Sequence, residues 1–364
     1  MRVAAHNGAT IWGGAERATT LLLRGLMDRG HDVLLFCNSE LVASRAAAEG
    51  VPTRKCRLGG DIALPHAFRL ASALRAYHAD VFIVGTYKKL FLASLGARMA
   101  RVPRVVARIG LESDTPRSWK YRVALRRWTD GIAVNARRIV APFATLDGFA
   151  AERVALIHNG VSIPEARERG SALRSELGIA PDCVVVGTIA RLAIQKRIDR
   201  LLEVAALLPD NVHVVVAGDG TRREDLEQLS AQRGLTGRVH FLGHRDDKEA
   251  VFDVLDLFVI TSDTEGLSNA MLEAMARGIP VVSTPVSGAA EALLADESGP
   301  ATGIVTEFEA DTIAAAIVPL IGDPEQRAAL GAAARERAKR LFSIETMLDK
   351  WEAFLAPAAA REST

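Results

Sequence analysis

Residues 262–273, SDTEGLSNAMLE, hold two carboxylates, Glu265 and Glu273, on either side of Gly266, Leu267 and Ser268. The run follows an apolar stretch at 257–260, and Ser268 can cap the helix that the later residues begin. A helix start offers free amides and a partial positive charge, which suits a phosphate, and Gly266 lets the backbone come close. Carboxylates beside a phosphate site should avoid the phosphate and accept hydrogen bonds from hydroxyls, such as those of a sugar and a ribose. A solvated loop glutamate followed by a helix-surface glutamate would give the same spacing.

A second group is cationic. Arg191 and Lys196 follow a β-branched run that reads as a strand ending at Gly187, so both enter a loop at a strand's carboxyl end. Arginine grips a diphosphate with a planar fork, and lysine adds a compact point charge. Gly218-Asp-Gly220 marks another tight turn after a valine-rich strand, and Gly13-Gly-Ala-Glu-Arg17 makes a loop-to-helix junction where Gly14 and Arg17 could meet an anion. That junction is not GxGxxG, and Asp32 precedes the second strand instead of ending it, which argues against a dehydrogenase.

Elements must hold these loops in place, and the chain is long enough to supply them. Its 364 residues exceed one ordinary core, and 49% hydrophobic with 24% charged residues is globular composition. Residues 1–162 carry 24 Lys or Arg against 12 Asp or Glu, giving +12. The remainder carries 21 against 32, giving −11. A basic half suits an anionic lipid leaflet, a phosphorylated substrate or nucleic acid. Aromatics at 5% lack the interleaving that single-strand nucleic-acid binding needs, so nucleic acid is set aside. Cys37, Cys56 and Cys183 are odd in number and without metal-ligand spacing, which fits a reducing cytoplasm. No apolar run is long enough to span a bilayer, and residues 1–30 lack the apolar core of a signal peptide.

Short apolar runs alternate with helical periodicity along the whole chain. Strands are expected at 2–7, 32–37, 51–56, 81–84, 104–108, 131–135 and 154–158, and again at 183–187, 212–217, 239–242, 257–260, 280–283 and 303–305. The pattern implies an α/β chain of two doubly wound, Rossmann-like domains facing across a cleft. Their expected limits are 1–162, a linker at 163–180, and 181–341. An amphipathic helix around Met347, Leu348, Trp351 and Phe354 begins a segment at 342–364 that is expected to pack back towards the first domain and end in a flexible tail. Residues 117–128, rich in arginine with Trp119, Val123, Leu125 and Trp128 among the cations, read either as an interfacial helix or as a surface helix packed on its own domain, with Pro116 as its start.

Taken in order, these motifs resemble the retaining glycosyltransferases of family 4, which have the GT-B fold. The likeness covers nearly the whole chain. It runs from His158-Asn-Gly-Val161 through Gly187, Arg191 and Lys196, Ala217-Gly-Asp-Gly220, Phe241-Leu-Gly243 and Glu265 to Glu273, ending at Pro280-Val-Val282. The resemblance implies retaining transfer of a hexose-type sugar from a UDP- or GDP-sugar donor to a glycan or lipid-linked acceptor in cell-envelope polysaccharide or lipopolysaccharide biosynthesis. No cofactor and no essential metal are implied. Arg191 and Lys196 match the diphosphate-gripping pair, Glu265 the carboxylate holding donor-sugar hydroxyls, and Glu273 the one holding ribose. Gly266 and Leu267 match backbone donors, Gly14 the glycine loop near the diphosphate, and His244 the region seating the base, with Gly187 and Ser268 also expected among the donor-binding residues. Many members carry a His where Gly110 stands here, and a His-rich turn where this chain reads Gly85-Thr-Tyr87. Arg108, Glu112 or Asp114 would then orient the acceptor, with Arg17 as a further acceptor-side candidate, while His6 is read as a packed histidine at the core's edge.

The expected setting is cytoplasmic, peripheral on the inner face of the membrane through the basic half. Two other functions fit the same elements: a nucleotide-sugar epimerase, or a non-catalytic binding or scaffold protein.

Overall fold

The computed structural model describes residues 1–60, 63–114, 118–144, 150–165, 172–297 and 299–356. Pro116 and Arg117 at the start of the basic stretch lie outside the described residues, as do residues 166–171 within the expected linker and the tail beyond 356. The chain divides into two compact units: Met1–Gly160 with the segment from Ile344 onward, and Val161–Ser343.

The first unit is built on seven parallel strands: β1 (Arg2–Asn7), β2 (Asp32–Cys37), β3 (Thr53–Lys55), β4 (Val81–Val84), β5 (Arg104–Ile109), β6 (Gly131–Val134) and β7 (Val154–Leu156), in the order β3-β2-β1-β4-β5-β6-β7. Apart from the edge strand β3, Thr-Arg-Lys, these segments are largely apolar runs because helices cover both faces, so alternate side chains feed two cores. Val3, Ala5, Val33 and Leu35 pack with Leu22, Leu23 and Leu26 of helix Gly14–Asp28. Ala4, Phe36 and Phe82 pack with Leu70 and Leu74 of helix Leu64–Tyr77.

Helix Ile344–Leu355 completes the first of these cores through Met347, Leu348, Trp351 and Phe354. Gly25 and Gly131 make room for it, since a Cβ on either would run into Leu348 or Phe354. Its polar side is also held. Arg29 pairs with Asp349 at 2.7 Å and with Glu352, whose other oxygen lies 2.8 Å from His31 Nε2, and Arg104 donates to the Phe354 carbonyl.

The second unit has six parallel strands: β8 (Val184–Ile189), β9 (Val212–Ala217), β10 (Val239–Gly243), β11 (Leu257–Ile260), β12 (Val281–Ser283) and β13 (Gly303–Val305), in the order β10-β9-β8-β11-β12-β13. One face sets Val185, Val215 and Phe258 against Met271 and Leu272, and the other sets Val186, Val214 and Val259 against Ile198 and Leu201. Chain order reverses between β8 and β11, and between β1 and β4 in the first unit. Open α/β sheets bind ligands at such switch points, beyond the carboxyl ends of the strands.

Some local expectations change. β8 runs two residues past Gly187, because Thr188 and Ile189 continue its ladder with β9. Helices Glu40–Ala48 and Arg137–Ala144 join the expected set. The basic stretch forms helix Trp119–Val123 and then a π-helical turn, Ala124–Trp128. Its apolar members mostly serve their own unit, since Leu125 is fully buried and the Trp128 ring lies 5.1 Å from Phe91. Trp119 remains 71% exposed, and the cations Arg126 and Arg127 are exposed as well. No helix among the described residues is long and apolar enough to cross a membrane, and all three cysteines are free.

Candidate active site

The loop after β8 is clamped by its neighbour. Ala190 N donates to Ala217 O at 3.0 Å, and Leu192 N to Asp219 O at 2.9 Å, so Arg191 sits between two fixed points. Gly218 and Gly220 make this approach possible. Gly218 has φ +129, and a Cβ on either glycine would collide with the carbonyl of Ala190 or Leu192. The Arg191 guanidinium is exposed and makes no hydrogen bond or ion pair among the described residues. Gly187, expected at the strand's end as a donor contact, instead lies buried within β8, where a Cβ would strike Leu255 and the Val215 carbonyl. Close packing accounts for that glycine.

Further along, Lys196 closes a 3-10 turn, Ile194–Lys196, that is sewn to the loop after β11. Thr261 Oγ1 donates to the carbonyls of Lys196 (3.1 Å) and Arg197 (2.9 Å), and Asp263 N donates to Gln195 O at 3.0 Å. Below them Arg200 donates to Thr261 O and pairs with Asp263, which also meets Arg197. Two loops from adjacent strands thus become one rigid rim.

That rim brings Lys196 Nζ to 2.9 Å from Glu265 Oε1, with both side chains largely buried. Ser262 Oγ donates to the same oxygen at 2.6 Å. Both contacts fall on Oε1, so Oε2 has no partner among the described residues and remains able to accept a hydroxyl. Lys196 likewise spends one donor on Glu265 and keeps two for an anion.

Residues 265–268 rest on the loop after β12: Ser287 N donates to Glu265 O and Gly288 N to Gly266 O. The Leu267 side chain is 3% exposed in the core, so only its backbone can serve a ligand. Ser268 occupies the N-cap of helix Asn269–Ala276, but its hydroxyl makes no capping bond. This corrects the capping expected from sequence. One turn on, Glu273 lies 3.8 Å from Lys248 Nζ. His244 follows β10, is exposed, and pairs with Asp246 at 3.3 Å. Its neighbour Gly243 accepts from Gly218 N at 2.7 Å, which puts His244 on the same carboxyl rim.

In the first unit, Gly14 opens helix Gly14–Asp28 and Arg17 is exposed one turn in. Arg108, expected to orient an acceptor, is engaged by its own fold. It donates to Thr19 Oγ1 at 3.1 Å, Asn159 Oδ1 at 2.8 Å and the Ala15 carbonyl. Burial lowers its pKa to about 10, against the pull of Glu16, so it stays a cation. Glu112 lies 3.7 Å from Arg138, and burial pushes Asp114 up to about 6 despite Lys88. Sequence reasoning missed Ser262 and Thr261, which organise Glu265 and Lys196, and Lys248 beside Glu273.

Two family models match the chain in succession: Glycosyltransferase Family 4 over residues 12–164 and Glycosyl transferases group 1 over residues 171–337. The chain belongs to the family 4 glycosyltransferases. Among its curated relatives is the lipopolysaccharide core biosynthesis glycosyltransferase LpsE of Rhizobium meliloti, 33% identical over 183 residues, which are 50% of this chain and 53% of that protein. Another is a GDP-mannose-dependent phosphatidylinositol monomannoside mannosyltransferase of Corynebacterium glutamicum, 31% identical over 50% of each chain. The glycosyltransferase chain therefore spans about half the length of the curated relatives it matches. Among solved structures, Anabaena HepE in complex with UDP and glucose superposes with a TM-score of 0.85 at 24% identity, covering 98% of this chain and 99% of that one. That likeness establishes the GT-B fold, two Rossmann-like α/β domains.

Proposed function

We propose that this glycosyltransferase takes a hexose from a nucleotide-diphospho-sugar held by the second unit and transfers it, with retention at the anomeric carbon, to a glycan or lipid-linked acceptor of the cell envelope. The observation that carries the reading is the Lys196–Glu265–Ser262 cluster at the β8/β11 switch point, with the unpartnered Arg191 on the same loop. Cleaving the sugar–diphosphate bond concentrates negative charge on the leaving diphosphate. Preset cations on a rigid rim stabilise that charge without having to reorganise. Arg191 and Lys196 supply them, so the reaction is proposed to need no metal and to survive EDTA. Glu265 Oε2 accepts from a hydroxyl of the donor sugar, Glu273 from the ribose, and the backbone at Gly266 and Leu267 faces the phosphates. His244 is assigned to the base.

The relatives support an envelope setting: LpsE acts in lipopolysaccharide core biosynthesis. They do not agree on a base, since the solved neighbour holds UDP and the mannosyltransferase uses GDP-mannose. We place the protein in the cytoplasm, on the inner membrane face, with Trp119, Arg126 and Arg127 toward anionic lipid.

Proton NMR of the product formed from an α-linked donor tests the reaction. An α-glycoside is expected, and a β-glycoside refutes retention. Glu265→Gln and Lys196→Ala should each lower kcat by roughly a hundredfold or more.

A further inference from the structure

The first unit holds a cavity of about 520 Å³ at the carboxyl ends of β1, β2 and β3, within the range of small-ligand sites. Lys55, Arg57 and Lys89 line it, with Glu40 the one acidic residue among the described lining residues. Each cation has a reason to be there. Lys55 ends β3, and Arg57 follows two residues later in the loop beyond it. Arg57 is exposed and has no side-chain partner among the described residues. Lys89 reaches in across Gly8, where any Cβ would strike its Cγ, and spends one donor on Gly59 O at 2.8 Å.

The floor is built rather than incidental. Asn38 grips Leu58 twice, accepting from its amide at 2.7 Å and donating to its carbonyl at 2.9 Å, and Leu58 is fully buried. His66 Nδ1 accepts from Gly59 N at 2.9 Å and holds the next turn of the loop. On the other side of Arg57, Cys56 N donates to Cys37 O at 3.0 Å, so both of its neighbours are held. Among the described lining residues Glu40 alone, 3.7 Å from Lys55 Nζ, offsets the three cations, and both members of that pair are mostly solvated. Exposed pairs of this kind are weak, so an entering anion can outcompete Glu40 for Lys55.

We propose that this cavity binds a phosphate monoester carried by the acceptor, which makes the acceptor a phosphorylated saccharide. The assignment rests on the transferase reading above and adds the acceptor's chemical class to it. A planar guanidinium and two ammonium groups around one cavity match a dianionic oxyanion. A free phosphate ion or a sugar carboxylate shares part of that chemistry.

Titration calorimetry on the full chain at low salt, with glucose 6-phosphate, inorganic phosphate and glucuronate as probes, separates these. Saturable binding of glucose 6-phosphate, tighter than both other probes, is expected, and it should weaken with added salt. Arg57→Gln and Lys55→Gln should each weaken it by about tenfold while UDP binding stays unchanged. Absence of saturable binding, or equal affinity in both variants, overturns the site. Inorganic phosphate or glucuronate binding as tightly as the sugar phosphate overturns the acceptor assignment. Loss of UDP binding with sugar-phosphate binding intact would strike the donor reading alone, so the two failures are distinct.

Discussion

His6 provides a pH prediction whose size follows from burial. It lies in β1 with no exposed surface, its Nε2 3.2 Å from the Cys56 carbonyl. Burial lowers its pKa from 6.5 to about 4, partly offset by the Cys56 and Asn38 hydrogen bonds and reinforced by Lys89. As pH falls, the unfolded chain therefore takes up the proton first. The stability that His6 contributes is complete above about 6.5 and disappears as pH falls toward about 4. The full loss is about 3 kcal/mol, and about 1.3 kcal/mol of it falls between pH 7.5 and 5.5, above the range where ordinary carboxylates titrate. Trp12, Trp119, Trp128 and Trp351, all the tryptophans of the chain, lie in the unit that contains His6, so urea unfolding followed by tryptophan fluorescence reports on that unit. Wild type should lose about 1.3 kcal/mol more than His6→Asn between those two pH values. Equal losses in the two proteins would refute the burial argument.

Three further perturbations test other parts of the structure. Gly218→Ala places a methyl against the Ala190 carbonyl at a positive φ, so it should cost about 2 kcal/mol or more in thermal unfolding and reduce transfer by disturbing the Arg191 loop. An unchanged melting temperature would mean that the clamp is slack. Trp351→Ala removes the largest side chain joining helix Ile344–Leu355 to its core, at a cost of about 3–5 kcal/mol by circular dichroism melts; a loss under about 1 kcal/mol would show the helix to be loosely docked. Co-sedimentation with anionic liposomes should fall with salt and weaken in Arg126→Glu/Arg127→Glu, whereas equal pelleting with neutral vesicles would contradict membrane contact.

Much of the architecture was legible because parallel strands buried on both faces are short apolar runs, and β1, β2, β4, β9 and β11 lie where those runs are. Helix Glu40–Ala48 was missed because its stripe consists of Val42, Ala43 and Ala46, small residues with little periodic contrast, and Arg137–Ala144 because it contains Pro142. At the site, sequence pointed to Lys196 and Glu265 separately. Their pairing depends on β8 and β11 lying side by side, which spacing along a chain cannot show. Arg108 illustrates the converse. A cation at the end of a central strand reads as a ligand contact until three acceptors of its own unit are found around it. The basic cavity escaped notice because Lys55 and Arg57, at and just beyond the end of β3, lie far along the chain from Lys89 and share no motif with it.

The account's central claim is that the rim between β8 and β11 is a nucleotide-sugar donor site, and ligand-dependent melting tests it most directly. Wild type and Lys196→Ala would be melted with UDP, GDP, ADP, CMP and NAD, with and without Mg²⁺. A ligand at about a hundred times its Kd stabilises by roughly 2.7 kcal/mol, which raises Tm by several degrees. The account predicts such a rise with one nucleoside diphosphate, without need of Mg²⁺, and its loss or marked reduction in Lys196→Ala. A flat response to every nucleotide, or an undiminished rise in the variant, would contradict it.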